Sequence, residues 1–395
     1  MDRRHTLKAL AAGPLAACAT GLFAAPAAGG TRLLVVFLRG GYDAANLLVP
    51  VGSQSYYELR PNIAIARPDA GNANAALTLD TDWGLHPALG PALHPLYAAG
   101  QLAFVPFAGT HDTSRSHFET QDRIELGQDL NGPRDFQSGF LNRLVGVLGG
   151  TPAMSFTDQL PRVFQGPARV ANAGLRSLST TGFDARQSAV IASMYADTPL
   201  APRVNQGFAV REEMRQMAAE MAAADRNALS TSSFEAQARR IARLMRERYH
   251  IGFVDVGGWD THVGQGGASG FLATRLGELG RGLAAYSQEM GPAWRETVVV
   301  VLSEFGRTFR ENGNRGTDHG HGTVYWVLGG GIRGAQVAGR QQRVEAATLF
   351  ENRDYPVLNE YRAVLGGLLR RMYGLDAARL DRVFPGAQTD DIALV

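Results

Sequence analysis

The chain has 395 residues, 45% of them hydrophobic and 19% charged, with a formal net charge of +2. That balance supplies ample material for a globular core and argues against a dedicated nucleic-acid binder, which would carry a concentrated basic surface. Beyond residue 30 no stretch is long and apolar enough to span a bilayer. The single cysteine, Cys18, leaves no thiolate metal site, disulfide or cysteine nucleophile once a leader is removed.

The start of the chain reads as an export signal over residues 1–27. Asp2-Arg3-Arg4-His5-Thr6-Leu7-Lys8 precedes an Ala/Leu-rich run from Ala9 to Ala25, and small residues follow, with cleavage expected after Ala27. The paired arginines resemble a twin-arginine signal, with Thr6 where an aromatic residue is usual. The expected partner is therefore the twin-arginine export machinery, and the expected location is periplasmic or secreted. Leu15-Ala16-Ala17-Cys18 offers an alternative, a lipoprotein anchored through Cys18; the apolar region continues well past that residue, which favours simple cleavage. One α/β domain is expected over 31–395, with a helical insertion around 200–249.

In chain order, RLLVVFL at Arg32–Leu38 is an apolar run of the kind buried on both faces of a parallel sheet. It ends at Arg39-Gly40-Gly41-Tyr42-Asp43, so an acid lies just past a strand. Residues 86–99 have helical spacing broken by prolines, with His86 and His94 decorating that helix, and 102–107 form a strand. Helix then strand suggests a βαβ unit. The next loop, AGTHDTSRSHFE, packs Ser114, Arg115 and Ser116 between His111 and His117, with a helix beginning near His117. A hydroxyl at a strand-to-helix junction suits a nucleophile, and Arg115 with backbone N–H groups suits an anion; an ordinary Ser/Thr helix cap is the other reading.

Further on, a helix is expected at 139–148, short strands near 162–170, and amphipathic helix over 203–249 with a break near 227–233. Residues 250–258 read as a strand, followed at once by Trp259-Asp260-Thr261-His262. A helix over 268–290 leads into TVVVVL at 297–302, which stops at Ser303-Glu304. A Gly- and Asn-rich loop then ends in Asp318-His319-Gly320-His321-Gly322. A short strand at 324–328 and a closing helix at 358–373 complete the chain.

Asp43, the 111–117 loop, Asp260 with His262, and Glu304 with Asp318, His319 and His321 all follow strands, and five of the nine histidines fall in these loops. The carboxyl ends of strands in one parallel sheet converge on one edge. Carboxylates and imidazoles meeting there suit zinc, manganese or iron, one ion or two. Arg39, Arg115 and Arg307 are near enough in sequence to hold a phosphate-like oxyanion.

FLRGGYDA, SRSHFETQD, GGWDTH, VVVLSEFGRT and DHGHG, in that order, resemble the bacterial domain-of-unknown-function 1501 family, within the alkaline phosphatase and sulfatase superfamily. The resemblance implies a three-layer α/β/α sandwich with a mostly parallel central sheet and a metal site at the strand ends, with zinc or manganese as the expected ion. It implies Asp43, Asp260, His262, Glu304, Asp318, His319 and His321 as metal ligands. It also implies a hydroxyl nucleophile among residues 113–116; Ser116 is favoured, with Ser114 and Arg115 beside it, and Arg39 and Arg307 as substrate-binding residues. Two positions depart from the superfamily pattern: Glu304-Phe305 stands where Asp-His is usual, and the spacing from Asp260 to His262 is short. Aldehyde-forming sulfatase chemistry is disfavoured, because four residues before Arg115 stands His111. The expected function is an exported metal-dependent hydrolase of a phosphate ester or related small anionic ester. The alternative is a non-catalytic periplasmic binding or assembly protein that keeps the fold, with or without one metal.

Overall fold

The computed structural model describes residues 30–132, 134–172, 174, 198 and 229–395. The export signal, the lipoprotein alternative at Cys18 and the part of the helical insertion before residue 229 lie outside the described residues. In chain order the main sheet takes Arg32–Leu38 (β1), Leu102–Gly109 (β2), Ala153–Ser155 (β3), Ala171–Asn172 (β4), Ile251–Val256 (β5), Thr297–Ser303 (β6), Thr323–Gly329 (β7), Gln336–Val337 (β8) and Asn359–Glu360 (β9). Among the described residues these strands run β8-β2-β7-β6-β1-β5-β3-β4, with β9 also paired to β2. All pairings are parallel except those of β7, which is antiparallel to β2 and β6.

Among the described residues the α-helices of seven residues or more are Gly90–Ala98 (α1), His117–Leu126 (α2), Phe140–Val147 (α3), Thr231–Glu247 (α4), Phe271–Met290 (α5), Tyr361–Tyr373 (α6) and Ala377–Val383 (α7). They divide between the two faces of the sheet. Leu34, Val36 and Leu38 of β1 share a core with Leu93 of α1, Ile241 of α4 and Leu279 of α5. Leu33, Val35 and Phe37 share the other with Ile124 of α2, Leu144 of α3, Leu365 of α6 and Leu380 of α7. The chain is therefore a three-layer α/β/α sandwich, and the unbroken apolar run of β1 reflects burial on both faces. In α5 the buried Leu272, Leu276, Leu279, Leu283, Tyr286 and Met290 recur every three or four residues, the stripe of a helix lying on a core. Fully burying one such side chain contributes roughly 1.5–3 kcal/mol relative to leaving it exposed.

Three differences from the sequence expectation matter. Arg162–Phe164 is a 3-10 turn, and the strand of that region is β4, at 171–172. The closing helix starts at Tyr361 rather than 358, because the Glu360 carboxylate accepts from the N–H groups of Arg362 and Ala363 at 3.0 and 3.1 Å and fixes the helix start there. Finally, the strand at 323–329 runs against its neighbours. β6 leaves the sheet at its carboxyl edge and β7 re-enters from that same edge, so both ends of the 304–322 loop sit over the strand ends. Leu38, Val256 and Ser303 lie side by side in the register, so the loops after β1 and β5 start at the same level as this one. Among the described residues no helix is long and apolar enough to cross a membrane.

Candidate metal centre

The loops after β1, β5 and β6 are drawn together at Gly40. Its φ is +117°, and a Cβ there would lie 2.7 Å from the backbone nitrogen of Asp260, a conformation and an approach that only glycine tolerates. Its N–H donates to Glu304 Oε1 at 2.8 Å. Gly320 serves the other side: a Cβ there would meet the backbone carbonyl of Arg307 at 2.5 Å.

Over this edge three imidazoles and one carboxylate converge. His319 Nε2 lies 2.9 Å from His117 Nε2, 3.1 Å from His262 Nε2 and 3.2 Å from Asp260 Oδ1. His262 Nε2 is 2.9 Å from Asp260 Oδ1, and His117 Nε2 is 3.5 Å from Asp260 Oδ2. Among the described residues His117, Asp260 and His319 form a group whose ligand atoms all lie within 4.8 Å of one another. A tetrahedral ion with bonds of ~2.0–2.1 Å to nitrogen or oxygen requires ligand-to-ligand edges of roughly 3.3 Å, which these separations approach.

The far nitrogen of each ring decides the chemistry. His117 Nδ1 faces Glu304 Oε1 at 2.8 Å, His262 Nδ1 faces Asp318 Oδ1 at 3.2 Å, and His319 Nδ1 faces the Arg115 carbonyl at 3.1 Å. Carbonyl and ionised carboxylate oxygens only accept. Each Nδ1 therefore carries a proton, and in its neutral form each ring turns its Nε2 lone pair toward the common centre. This arrangement, an imidazole oriented by an outer acceptor, is how metal-ligating histidines are held, so the donor set fits a divalent cation.

Electrostatics keep both buried carboxylates ionised and draw a second proton onto His117, which a cation at the centre would displace. Burial opposes ionisation of Asp260, but hydrogen bonds from His117, His262 and His319 and the charge of Arg307 outweigh it and hold its pKa far below the usual carboxylate range. Burial likewise opposes charge on Glu304, yet His117 and Gln121 bring its pKa down to about 2. On His117, burial is outweighed by hydrogen bonds to Asp260 and Glu304, which lift its pKa to about 9; burial lowers that of His319. Phe305 floors the cluster, with its ring 4.9 Å from that of His117 and 5.2 Å from that of His319.

The other residues named from sequence are distributed as follows. Glu304 stands behind His117 rather than at the centre: Oε1 accepts from His117, Gln121 and Gly40, and Oε2 from Ser303. Asp318 stands behind His262. Asp43 is not brought to the cluster, because Arg60 grips both its oxygens at 2.6 and 3.0 Å and Gln265 donates to it at 2.6 Å. His321 is also apart, buried against the Phe350 ring at 4.8 Å.

None of the three arginines has its guanidinium directed to an open oxyanion pocket. Arg39 is buried between Asp255 at 2.7 Å and Glu125 at 2.9 Å, with Gln121 as a third acceptor. Arg307 is buried and spends its donors on Asp260 and Thr317. Arg115, at φ +52°, is pinned by Asp354 and Glu351. Ser116 is the N-cap residue of α2, yet its side chain makes no capping bond. The Ser114 hydroxyl lies 3.4 Å from both Thr120 Oγ1 and the Ser116 N–H.

Sequence reasoning did not place His117, Gln121 or Arg60 in these roles. His117 carried a signal: it opens a helix just past a strand end, as a ligand of this edge must. Arg60 and Gln121 carried none.

Fold and donor set together define a mixed α/β protein with a histidine-rich candidate metal centre at the carboxyl ends of its strands. It belongs to the family described as "Protein of unknown function (DUF1501)", whose model matches residues 30–384. No curated protein matches the sequence. Among solved structures the chain is similar to a protein in the alkaline phosphatase superfamily from Vibrio parahaemolyticus, at 10% identity and a TM-score of 0.41, over 87% of this chain and 66% of that one. It is similar to the C-terminal periplasmic domain of EcEptC from Escherichia coli, in complex with zinc, at 9% identity and a TM-score of 0.39, over 84% and 87%. It is also similar to the lipoteichoic acid synthase LtaP from Listeria monocytogenes, at 8% identity and a TM-score of 0.36, over 92% and 76%.

Proposed function

We propose that the chain is an exported hydrolase that uses a single divalent ion, zinc in preference to manganese, to cleave a phosphate ester or related anionic ester. The observation that carries this reading is the convergence of three Nε2 lone pairs and Asp260, each ring fixed by its own outer acceptor. A donor set of three imidazoles and one carboxylate suits zinc, whereas manganese favours oxygen-rich sites. Bound there, the ion supplies Lewis acidity toward an ester oxygen and a nearby hydroxyl.

The chain's own groups supply the rest. His117, His262, His319 and Asp260 hold the ion, and Glu304, Asp318, Arg115 and Arg307 hold those ligands in place. Ser116 directly precedes His117, its hydroxyl is not committed to capping, and the amino-terminal end of α2 favours negative charge beside it. It is the nucleophile this reading assigns. Four protein ligands would fill a tetrahedral ion, so a reacting ion would have to take the ester as a fifth ligand; the 30% and 27% exposure of the His262 and His319 side chains leaves a side from which it could approach. Export through the twin-arginine route rests on the N-terminal pattern and delivers the chain to the periplasm or beyond.

The test compares zinc-loaded wild type with Ser116→Ala and Ser114→Ala on phosphate mono- and diesters. Loss of the nucleophile lowers kcat by several orders of magnitude in Ser116→Ala, while Ser114→Ala stays near wild type. Equal turnover in all three proteins would remove Ser116 from the mechanism, and no turnover of any ester by zinc-loaded wild type would remove the hydrolase reading.

A further inference from the structure

Resting on the single-ion reading above, we propose that Asp354, a buried carboxylate outside the metal centre, is a positioning residue: it fixes Arg115 so that the Arg115 carbonyl meets His319, and thereby sets how tightly and in what geometry the ion is held. The first observation is one of backbone. Arg115 stands at φ +52°, a region that residues other than glycine seldom enter and that persists where the surroundings hold it. In that conformation its carbonyl oxygen faces His319 Nδ1 at 3.1 Å. His117 and His262 are each oriented by a carboxylate side chain. His319 is oriented by main chain, so whatever fixes residue 115 fixes this ligand.

The Asp354 side chain has no solvent exposure, and its Oδ2 accepts from Arg115 Nε at 3.1 Å and from Arg115 Nη2 at 2.9 Å. Two bonds from one planar guanidinium fix its direction as well as its distance. Glu351, the other partner, is 54% exposed, and water weakens such a pair, so the buried carboxylate is the stronger anchor. Asp354 also reaches His319 by a second route. Arg353 Nη1 donates to Asp354 Oδ2 at 3.0 Å, and Arg353 Nη2 donates to the His319 carbonyl at 2.9 Å. One carboxylate therefore steadies His319 from its ring side and from its main chain.

The turn that presents Asp354 is stitched to the loops of the centre. Phe350 and Asp354 exchange backbone hydrogen bonds at 2.8 and 3.0 Å, the Phe309 N–H donates to the Arg353 carbonyl at 2.9 Å, and the Gly322 N–H donates to the Tyr355 carbonyl at 2.8 Å. This turn thus holds both arms of the 304–322 loop, which carries His319. Its carboxylate holds the 110–116 loop, which leads directly into His117. The two loops meet where His117 Nε2 approaches His319 Nε2 at 2.9 Å, so Asp354 ties together two ligand-bearing segments.

The experiment measures zinc affinity by competition with a chromophoric chelator, and the visible spectrum of the cobalt(II)-loaded full chain. It compares wild type, Asp354→Asn, Arg115→Gly, the double variant and Arg60→Ala. Arg115→Gly keeps the carbonyl and tolerates the positive φ, but removes the side chain that Asp354 holds. Each single variant is expected to weaken zinc binding by about tenfold or more, as for groups that orient a ligand, and to alter the cobalt spectrum. The double variant is expected to lose less than the product of the two single losses, because both act through one contact. Arg60→Ala, which breaks a buried ion pair elsewhere, is expected to lower Tm and leave both metal readouts unchanged. An Asp354→Asn protein that loses Tm yet binds zinc and cobalt as wild type does would overturn the inference, as would single losses that multiply in the double variant. If Asp354→Asn does not fold, wild-type zinc affinity in Arg115→Gly overturns it instead. If wild type binds no zinc, the single-ion reading falls and this inference with it. If wild type binds zinc but hydrolyses no ester, the hydrolase reading falls and the zinc comparison still decides this one.

Discussion

Asp43 and Asp260 each sit a few residues past a strand of the same sheet, each is almost fully buried, and each meets an arginine. Their fates differ because of how the guanidinium approaches. Arg60 takes both oxygens of Asp43, Gln265 completes the set, and no imidazole joins. Arg307 takes one oxygen of Asp260 and turns its other donors to Thr317, so Asp260 keeps capacity for His117, His262 and His319. A buried carboxylate thus becomes a structural lock when a cation saturates it and a ligand when the cation only steadies it. The same edge holds a second lock, Arg39 with Asp255 and Glu125, which reaches the centre through Gln121 to Glu304.

The largest effect that separates the two regions is expected at the lock. Arg60→Ala strands the Asp43 charge in the core and should cost about 3–5 kcal/mol of stability, seen as a lowered Tm, while the folded fraction still binds zinc. A comparable loss of zinc with no change in Tm would place Asp43 in the metal site instead.

Next comes the outer acceptor. Glu304→Ala frees the His117 ring and should weaken zinc binding by about 10–100-fold. Glu304→Gln keeps an acceptor for His117 Nδ1 and should lose much less. Equal losses in the two variants would make Glu304 a direct ligand.

The smallest effect concerns histidines outside the cluster. His86 is buried, accepts from the Ala88 N–H at Nδ1 and faces the Gly267 carbonyl through Nε2; burial lowers its pKa to about 4. His321 is lowered to about 4 as well, by burial and then by the neighbouring His111 and Arg115 charges. Below pH ~6.5, the ordinary histidine value, the unfolded chain binds these protons and the folded chain does not. Stability is therefore lost as pH falls from about 6.5 toward 4, by at most ~1.4 kcal/mol per pH unit for each group. His86→Gln should remove one proton's worth of slope from a Tm series over that range. An unchanged slope would mean that His86 is not held neutral by the fold.

The comparison also explains what was legible beforehand. β1 and β6 were readable because burial on both faces forces an unbroken apolar run. The direction of β7 was not, since a short apolar run reads alike parallel or antiparallel. Asp260, His262 and His319, which the structure brings together, carry the signature of acids and imidazoles beside glycines at strand ends. Asp43, Glu304 and Asp318 carry that same signature in other places, because spacing along the chain does not encode which partner reaches a carboxylate. Arg60 ends the short helix Gln54–Leu59, and Gln121 meets Glu304 across 183 residues. Such pairings leave no periodicity to find. His117 was grouped with the hydroxyls around it and taken as part of a nucleophile loop.

The most direct test of a single centre built by His117, Asp260, His262 and His319 is a zinc titration of metal-free chain, with bound zinc counted by elemental analysis in wild type, His319→Ala and Asp43→Asn. One zinc per chain in wild type and in Asp43→Asn, and none retained by His319→Ala, is the predicted result. Zinc held equally by His319→Ala, or a second zinc that disappears with Asp43→Asn, would contradict it.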